Sequence, residues 1–250
     1  HWQSAYGNGD LGNQGPHQLD VCRWALGDPK ELPPMVLSAG GRFAHDDDGD
    51  VANTQVVLLA YDPVPILFEV RGLPKKDVDY KSGMDSYKGQ QIGNLIEYEG
   101  GWLSGGHNDE CHLFDAQGKK MKSFKGGRSH FQNWVDAIHS GKQEAGHSAE
   151  SGHLSSALAH IGNISWDLGA PASAAEVKAA FTGDAAADAV ERMATHLAAN
   201  GVDLEKSRIR LGAKLSLSGE SFSGEHADPA NALLKGSYRK GFELPVIGDH

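Results

Sequence analysis

The sequence contains only two cysteines, Cys22 and Cys111, in its 250 residues. Two cysteines are too few for a disulfide framework, and we expect both to be free, buried thiols. Basic charge is also scarce, because 23 lysines and arginines stand against 33 aspartates and glutamates, which gives a net charge of −10. Nucleic acids and anionic membrane surfaces bind basic patches, so we expect neither as a partner. No apolar run approaches the roughly 20 residues that a membrane span needs.

Glycine and apolar residues, by contrast, are plentiful. The chain has 32 glycines, and 39% of its residues are hydrophobic. That composition fits one globular domain of generous size, or two small ones, with many turns. The sequence begins at His1 and shows no signal peptide. From this we expect a processed chain or a piece of a longer one.

The order of the helix and strand signals predicts an α+β fold. Consecutive hairpin signals come first and predict a large, mostly antiparallel sheet, and helical periodicity follows, so we expect the helices to pack on one face of the sheet. The predicted segments are a Gly-rich loop and helix over 1–27, a sheet over about 34–125, helices over about 129–200 and a tail wrapping the surface over 201–250.

The segment from Gly7 to Gly12 matches the glycine pattern of a dinucleotide-binding loop. That function needs an apolar strand just before the first glycine, so that the pyrophosphate meets a helix N-terminus. Residues 1–6 are too few and too polar to form such a strand, and hairpins follow where βαβ units are needed. We therefore interpret the segment as a turn before a helix, with Pro16 at the first helical position.

The segment from Gly9 to Gly27 resembles the Gfo/Idh/MocA (glucose–fructose oxidoreductase/inositol dehydrogenase) family, at the point where its C-terminal domain follows the Rossmann domain. It is most similar to the bacterial branch with an extended C-terminal domain. The resemblance covers nearly all 250 residues, and this first segment is its most specific part. Further similar pieces lie at 40–43, 47–54, 68–72, 153–164 and 228–234.

This resemblance implies a single C-terminal domain over 1–250 that binds substrate and forms the oligomer interface. It implies hydride transfer between NAD or NADP and a sugar or polyol, with the cofactor held mainly by a Rossmann domain that this sequence lacks. It also implies a homodimer or homotetramer built through the sheet, in the cytoplasm or the periplasm. Nothing here matches the family's cofactor loop or its first-domain lysine, so we expect the isolated chain to be inactive.

His17 occupies the position of the family's catalytic histidine. The expected place in the first turn of a helix disfavours the imidazolium and would leave a neutral base for a substrate hydroxyl. The family has an aspartate four residues earlier, where this sequence has Asn13. An asparagine can orient a hydroxyl or the imidazole, but it cannot relay a proton.

Four residues are candidates for binding the substrate. Asp20 shares a helix face with His17, and the amides of Asn13 and Gln14 could bind hydroxyls. Arg71 is the fourth candidate, although Glu69 on the same strand face could instead hold it in an ion pair.

Two other functions remain open. The first is a non-catalytic carbohydrate-binding or assembly module. The second is a copper site in which His1 chelates through its amine and imidazole and His107 or His112 completes the set.

Two further metal patterns are weaker. Residues 46–50 resemble a calcium loop but lack its glycine and glutamate, which indicates a solvated turn. His147, His153 and His160 could approach a zinc ion, but no cysteine or carboxylate completes the set, so we expect them to pack or cap.

Overall fold

The computed structural model describes residues 1–106, 110–127, 129–142 and 148–243. All strand pairs within these ranges are antiparallel, which confirms the predicted α+β class and its large antiparallel sheet. No helix in the same ranges has the length and hydropathy to cross a bilayer. The helices are α1 (Gly9–Ala25), α2 (His130–Ser140), α3 (Ala149–Asp167), α4 (Ala174–Ala180), α5 (Asp184–Ala199) and α6 (Ala227–Ala232), with a 3-10 turn at Tyr80–Ser82. The strands are β1 (Met35–Gly41), β2 (Thr54–Leu59), β3 (Ile66–Arg71), β4 (Gly93–Tyr98), β5 (Gly101–Gly106), β6 (Glu110–Asp115), β7 (Lys120–Lys125), β8 (Ala170–Ala172), β9 (Ile209–Leu211), β10 (Leu215–Ser218) and β11 (Ser221–Ser223).

A seven-stranded sheet forms the centre of the molecule. Its main path is β11-β10-β1-β2-β3, with β9 pairing to β1 and β8 to β9. Val57 and Leu59 of β2 pack in one core with α1 and α3, whereas Val56 and Leu58 pack in a second core with α4 and α5. The expectation of helices on one face is therefore wrong. All of β2 is buried, and a strand that is apolar on both sides needs cover on both sides.

Helix α1 begins at Gly9, well before the predicted start. The segment predicted as a loop is helical, and Pro16 lies inside the helix instead of at its first position. Glycine and proline disfavour helix interiors, but Leu11, Gly15 and Leu19 fall on one face and are buried. Burial of the two leucine side chains stabilises the helix by about 1.5–3 kcal/mol each. This gain is larger than the free-energy cost of placing the glycines in a helix.

Small residues let α1 and α3 approach each other and the sheet. A Cβ atom placed on Gly15 would lie 3.5 Å from Ala159 Cβ. A Cβ on Gly162 of α3 would lie 3.0 Å from a Val57 methyl and 3.1 Å from a Leu11 methyl. This close crossing places the exposed face of α1 beside the first turns of α3.

The strands over 34–125 belong to two sheets and not to one. Strands β4 to β7 form a separate four-stranded sheet in sequence order. It is attached to α1 by Asn94, whose Nδ2 donates to Gln18 O at 2.8 Å and to Cys22 Sγ at 3.1 Å. Cys22 and Cys111 are unpaired and half-buried. Burial raises the pKa of the Cys22 thiol, and the bond from Asn94 partly opposes that shift.

The small sheet and α2 expose an apolar surface. In β7, every residue is exposed, among them the apolar Met121 at 58% and Phe124 at 39%. Helix α2 has the predicted amphipathic spacing, but its apolar side chains face outward: Phe131 is 72% exposed, Trp134 66% and Ile138 60%. This surface differs from the large sheet, whose two faces are covered by helices of the same chain.

The prediction of a surface tail over 201–250 is wrong for residues 209–232, which form strands and a helix, whereas residues 233–243 are exposed. Strands β9 and β10 both pair with β1, and Ile209 and Leu215 are each 1% exposed. Residues 215–218 alternate buried and exposed side chains, which is the two-residue period of a half-buried strand. The prediction failed because these strands are only three or four residues long.

Candidate functional site

One face of α1 carries three of the predicted site residues. Asn13, His17 and Asp20 are spaced at i, i+4 and i+7 and therefore share a face. The His17 side chain is exposed and makes no hydrogen bond or ion pair with the described residues. His17 lies near the middle of α1, so the expectation that a helix N-terminus disfavours its imidazolium is wrong: the dipole effect is confined to the first turn.

A cleft of about 400 Å³ lies between this face and the start of α3. Ser148 caps α3, because its Oγ accepts from the Ser151 amide at 2.9 Å. Ser155 lies two turns inside α3 and donates its hydroxyl to Asp20 Oδ1 at 2.6 Å. The cleft is lined by Pro16, His17, Asp20, Ser148, Gly152, Ser155 and Ser156. Hydroxyls, a carboxylate and an imidazole therefore converge on one space.

Arg23 is buried behind the cleft and contacts Ser155, one of its lining residues. Its side chain is 0% exposed. Nη1 donates to Ser151 O at 3.2 Å and to Ser155 Oγ at 2.9 Å. Nη2 donates to Asp28 Oδ1 at 2.8 Å and to Pro29 O at 3.0 Å. These bonds satisfy both terminal nitrogens of a buried charge and fix the end of α1 against α3, while Nε has no hydrogen-bond partner among the described residues.

Gln14 lies on a neighbouring face of α1. Its Nε2 donates to Gln18 Oε1 at 3.2 Å, one turn further along the helix. Gln18 is also the residue whose carbonyl accepts from Asn94 of the small sheet. Gln14 is half-buried on this side and does not line the cleft.

Arg71 is held on the opposite side of the large sheet. Its Nη2 pairs with Glu69 Oε2 at 2.7 Å, and its Nη1 pairs with Asp85 Oδ2 at 2.7 Å. Glu69 also binds Arg192 of α5, the helix that covers this face. The structure therefore shows the ion pair that was the alternative for Arg71, and it does not bring Arg71 to the cleft.

A buried histidine belongs to the same ionic network. His196 Nδ1 lies 3.2 Å from Asp85 Oδ2, and its side chain is 0% exposed. Neither ring nitrogen of His196 has a well-aligned hydrogen bond among the described residues. Burial lowers the pKa of His196, the negative charge of Asp85 opposes this, and the positive charge of Arg71 adds to it.

The described residues do not fit a dinucleotide cofactor. Gly9 and Gly12 lie inside α1, and no strand precedes them. A Cβ on Gly12 would lie 2.1 Å from Cγ of Asn8. The space beside this glycine is therefore filled by the Asn8 side chain and is not available to a phosphate. The strands of the described ranges are antiparallel, whereas the dinucleotide site needs a βαβ unit.

No group of three or more His, Cys, Asp or Glu residues in the described ranges could hold a metal ion. His1 Nε2 lies 3.2 Å from Asp10 Oδ1, and His112 Nδ1 lies 2.9 Å from Ser123 Oγ. The third residue of the copper hypothesis, His107, lies outside the described residues. His1 and His112, the two described histidines of the copper hypothesis, are thus engaged in local contacts.

The zinc and calcium patterns also form local contacts where they are described. His153 Nε2 lies 3.0 Å from Glu220 Oε1 on the surface, and His160 is exposed on the same helix, while His147 falls outside the described residues. In the acidic loop, Asp47 pairs with Arg42, whose hydrogen bond lowers the pKa of Asp47 to about 2.

The sequence reasoning missed the α3 side of the cleft. Ser148, Gly152, Ser155 and Ser156 follow helical spacing, and all are small or hydroxylated. A run of small polar residues on an otherwise apolar helix was the available signal. Arg23 was missed because a lone arginine on a short helix gives no sign that it is buried.

The comparisons with known proteins leave the family open. No protein-family model matches the chain, and no curated protein matches it. One solved structure that the chain matches is a "putative oxidoreductase from Klebsiella pneumoniae", at 14% identity and a TM-score of 0.40. The alignment covers 59% of this chain and 44% of that chain, so this chain matches less than half of that protein. A match this partial carries no argument about the fold or the activity of this chain.

Proposed function

We propose that this chain is the substrate-binding part of an NAD(P)-dependent oxidoreductase acting on a sugar or polyol, with His17 as its acid/base. The observation that supports the proposal is the cleft between α1 and α3, where His17 stands beside Asp20 and the α3 hydroxyls. The resemblance over residues 9–27 suggested the same histidine independently of this geometry.

The groups in the cleft suit the chemistry of a hydroxyl. Oxidation of an alcohol needs an acceptor for the O–H proton, and an unengaged imidazole provides one. Asp20 and Ser156 would bind neighbouring hydroxyls of the substrate, and Asn13, one turn before His17, would orient the reacting one. Groups held on two packed helices keep a fixed geometry, which favours reaction.

The nicotinamide cofactor would be bound elsewhere. Since the described residues do not fit a dinucleotide, NAD or NADP would be held by a separate Rossmann domain. We assign to this chain only substrate binding and proton transfer at His17. The chain alone is then inactive.

We also propose that the chain forms a homodimer or homotetramer. Support comes from the exposed side chains of α2 and of the small sheet, among them Trp134 and Met121, which is 58% exposed. Apolar patches of this kind commonly mark interfaces. The interface would lie on the small sheet and α2, because the large sheet is covered on both faces.

Calorimetry on the purified chain tests the cofactor and substrate assignments together. We expect heat of binding with neutral hexoses or hexitols and none with NAD or NADP. Tight binding of either nucleotide would overturn the assignment of the cofactor to another domain. A panel of hexoses and hexitols without any binding would overturn the substrate site.

A carbohydrate-binding module without catalysis is the second candidate. Asn13 favours it, because an amide stands where the resembled family has the acidic partner of its catalytic histidine. The two candidates differ in the effect of His17→Asn on a version of the protein that carries a nucleotide-binding domain. Loss of turnover with unchanged sugar binding supports the enzyme, whereas absence of turnover in the unmodified protein supports the module.

A further inference from the structure

The hydroxyl of Ser155 has a fixed direction. Its Oγ accepts from Arg23 Nη1 at 2.9 Å, and an arginine can only donate. The single proton of Ser155 is therefore available to Asp20, whose Oδ1 lies 2.6 Å away. Arg23, Ser155 and Asp20 thus form a directional chain of hydrogen bonds in which Asp20 is the terminal acceptor.

The charge of Arg23 does not reach the cleft directly. Its Nη2 is paired with Asp28 and Pro29, and its Nη1 lies 3.9 Å from Asp20 Oδ1. Asp20 is 26% exposed, so part of its carboxylate faces the cleft while the guanidinium behind it is fully buried. The charged group that the described wall exposes to a ligand is therefore the Asp20 carboxylate, with its ion-pair partner Arg23 buried behind it.

Cationic side chains are missing from the rest of the cleft wall. Among the described lining residues, His17 is the only one that could carry positive charge. Glu150 in the first turn of α3 offsets the positive end of the helix dipole. Phosphate and carboxylate groups are normally bound by arginine or lysine, and the described residues that line the cleft include neither.

We propose that this cleft accepts uncharged or amino-substituted sugars and polyols and rejects those carrying phosphate or carboxylate. Asp20 is the residue that determines this specificity, and Ser155 positions it. The inference rests on the proposed function, because it assumes that the cleft binds a hydroxylated substrate. It adds the charge of the accepted substrate, which the sequence pattern does not predict.

Matched ligands test the charge class. Each neutral hexose that binds the purified chain is compared with its 6-phosphate and its uronate, which differ only at one carbon. We expect the two anions to bind at least tenfold more weakly than the neutral sugar. Asp20→Asn should reduce this ratio between the affinities of the neutral and the anionic ligands. Equal or tighter binding of the anions would overturn this inference and leave the proposed function standing. Failure of every neutral and anionic sugar to bind would overturn the proposed function itself.

The positioning role of Ser155 needs a conservative variant, because Ser155 is buried. Ser155→Thr keeps the hydroxyl and should keep both the affinity and the charge selectivity. Ser155→Ala removes the bond to Asp20 and should weaken binding of the neutral sugar. Unchanged binding in Ser155→Ala, with a native circular dichroism spectrum, would refute the role of Ser155. A purely structural role would lower the melting temperature without changing the ratio between neutral and anionic ligands.

Discussion

Gly152 offers a way to close the cleft without damaging the fold. It lies in α3 on the cleft wall, and a Cβ atom placed on it would have no neighbour within 4 Å. Glycine in a helix interior costs roughly 0.5–1 kcal/mol relative to a good helix former. Gly152→Leu should therefore stabilise the chain while its side chain enters the cleft.

The size of the effect on stability follows from the length of the chain. For a domain of roughly 150–250 residues, 1 kcal/mol shifts the melting temperature by about 2–4 °C. We expect Gly152→Leu to raise the melting temperature by about 1–4 °C and to weaken sugar binding at least tenfold. The two changes have opposite signs, so unfolding cannot explain the lost binding.

Differential scanning fluorimetry and calorimetry measure the two quantities. Ala185→Leu is the matched control, because Ala185 is exposed on α5, on the other side of the large sheet. It should leave sugar binding unchanged. If Gly152→Leu binds the sugar as tightly as the original chain, the ligand does not occupy this cleft and the site assignment is wrong.

Three further predictions concern catalysis, pH and assembly. In a version of the protein that carries its nucleotide-binding domain, His17→Gln should lower kcat by about 10²–10⁴-fold and leave sugar affinity within a factor of two or three, as steady-state kinetics and calorimetry would show. Because folding lowers the pKa of His196 below 6.5, the unfolded chain takes up more protons than the folded chain as the pH falls below about 6.5, so stability is lost there. His196→Leu should show a smaller loss of melting temperature between pH 7 and pH 5, and an equal loss would exclude His196 as its source. Trp134→Glu should convert an oligomer to smaller species in light scattering at constant protein concentration, whereas Ala185→Glu, which adds the same charge on exposed α5 outside the proposed interface, should not.

The hairpins could be predicted from the sequence because their signals are local. Ile66–Arg71 is rich in apolar residues and follows a turn with two prolines after the apolar run of β2, which is a local signal for the antiparallel pair that the two strands form. Strand β10 was missed because its place beside β1 depends on a pairing partner about 180 residues earlier in the chain. Short strands are stabilised mainly by such distant partners. Their own three or four residues are too few to show a clear strand pattern in the sequence.

The site was predicted on one side only. His17 and Asp20 could be placed on a common helix face from their spacing, and that face does line the cleft. The start of α1 was placed too late because glycine and proline were weighed without the burial of Leu11 and Leu19. The opposite wall, formed by Ser155 and its neighbours, is brought there by helix packing, which a single sequence does not report.

Nuclear magnetic resonance of the histidine side chains tests the central claim most directly. The chain has 13 histidines, and comparison with His17→Gln assigns the His17 signal. Titration with a neutral hexitol at constant pH should shift the His17 signal in the unmodified chain and leave it unmoved in Gly152→Leu. If the ligand binds but shifts other histidines and not His17, the cleft between α1 and α3 is not the substrate site.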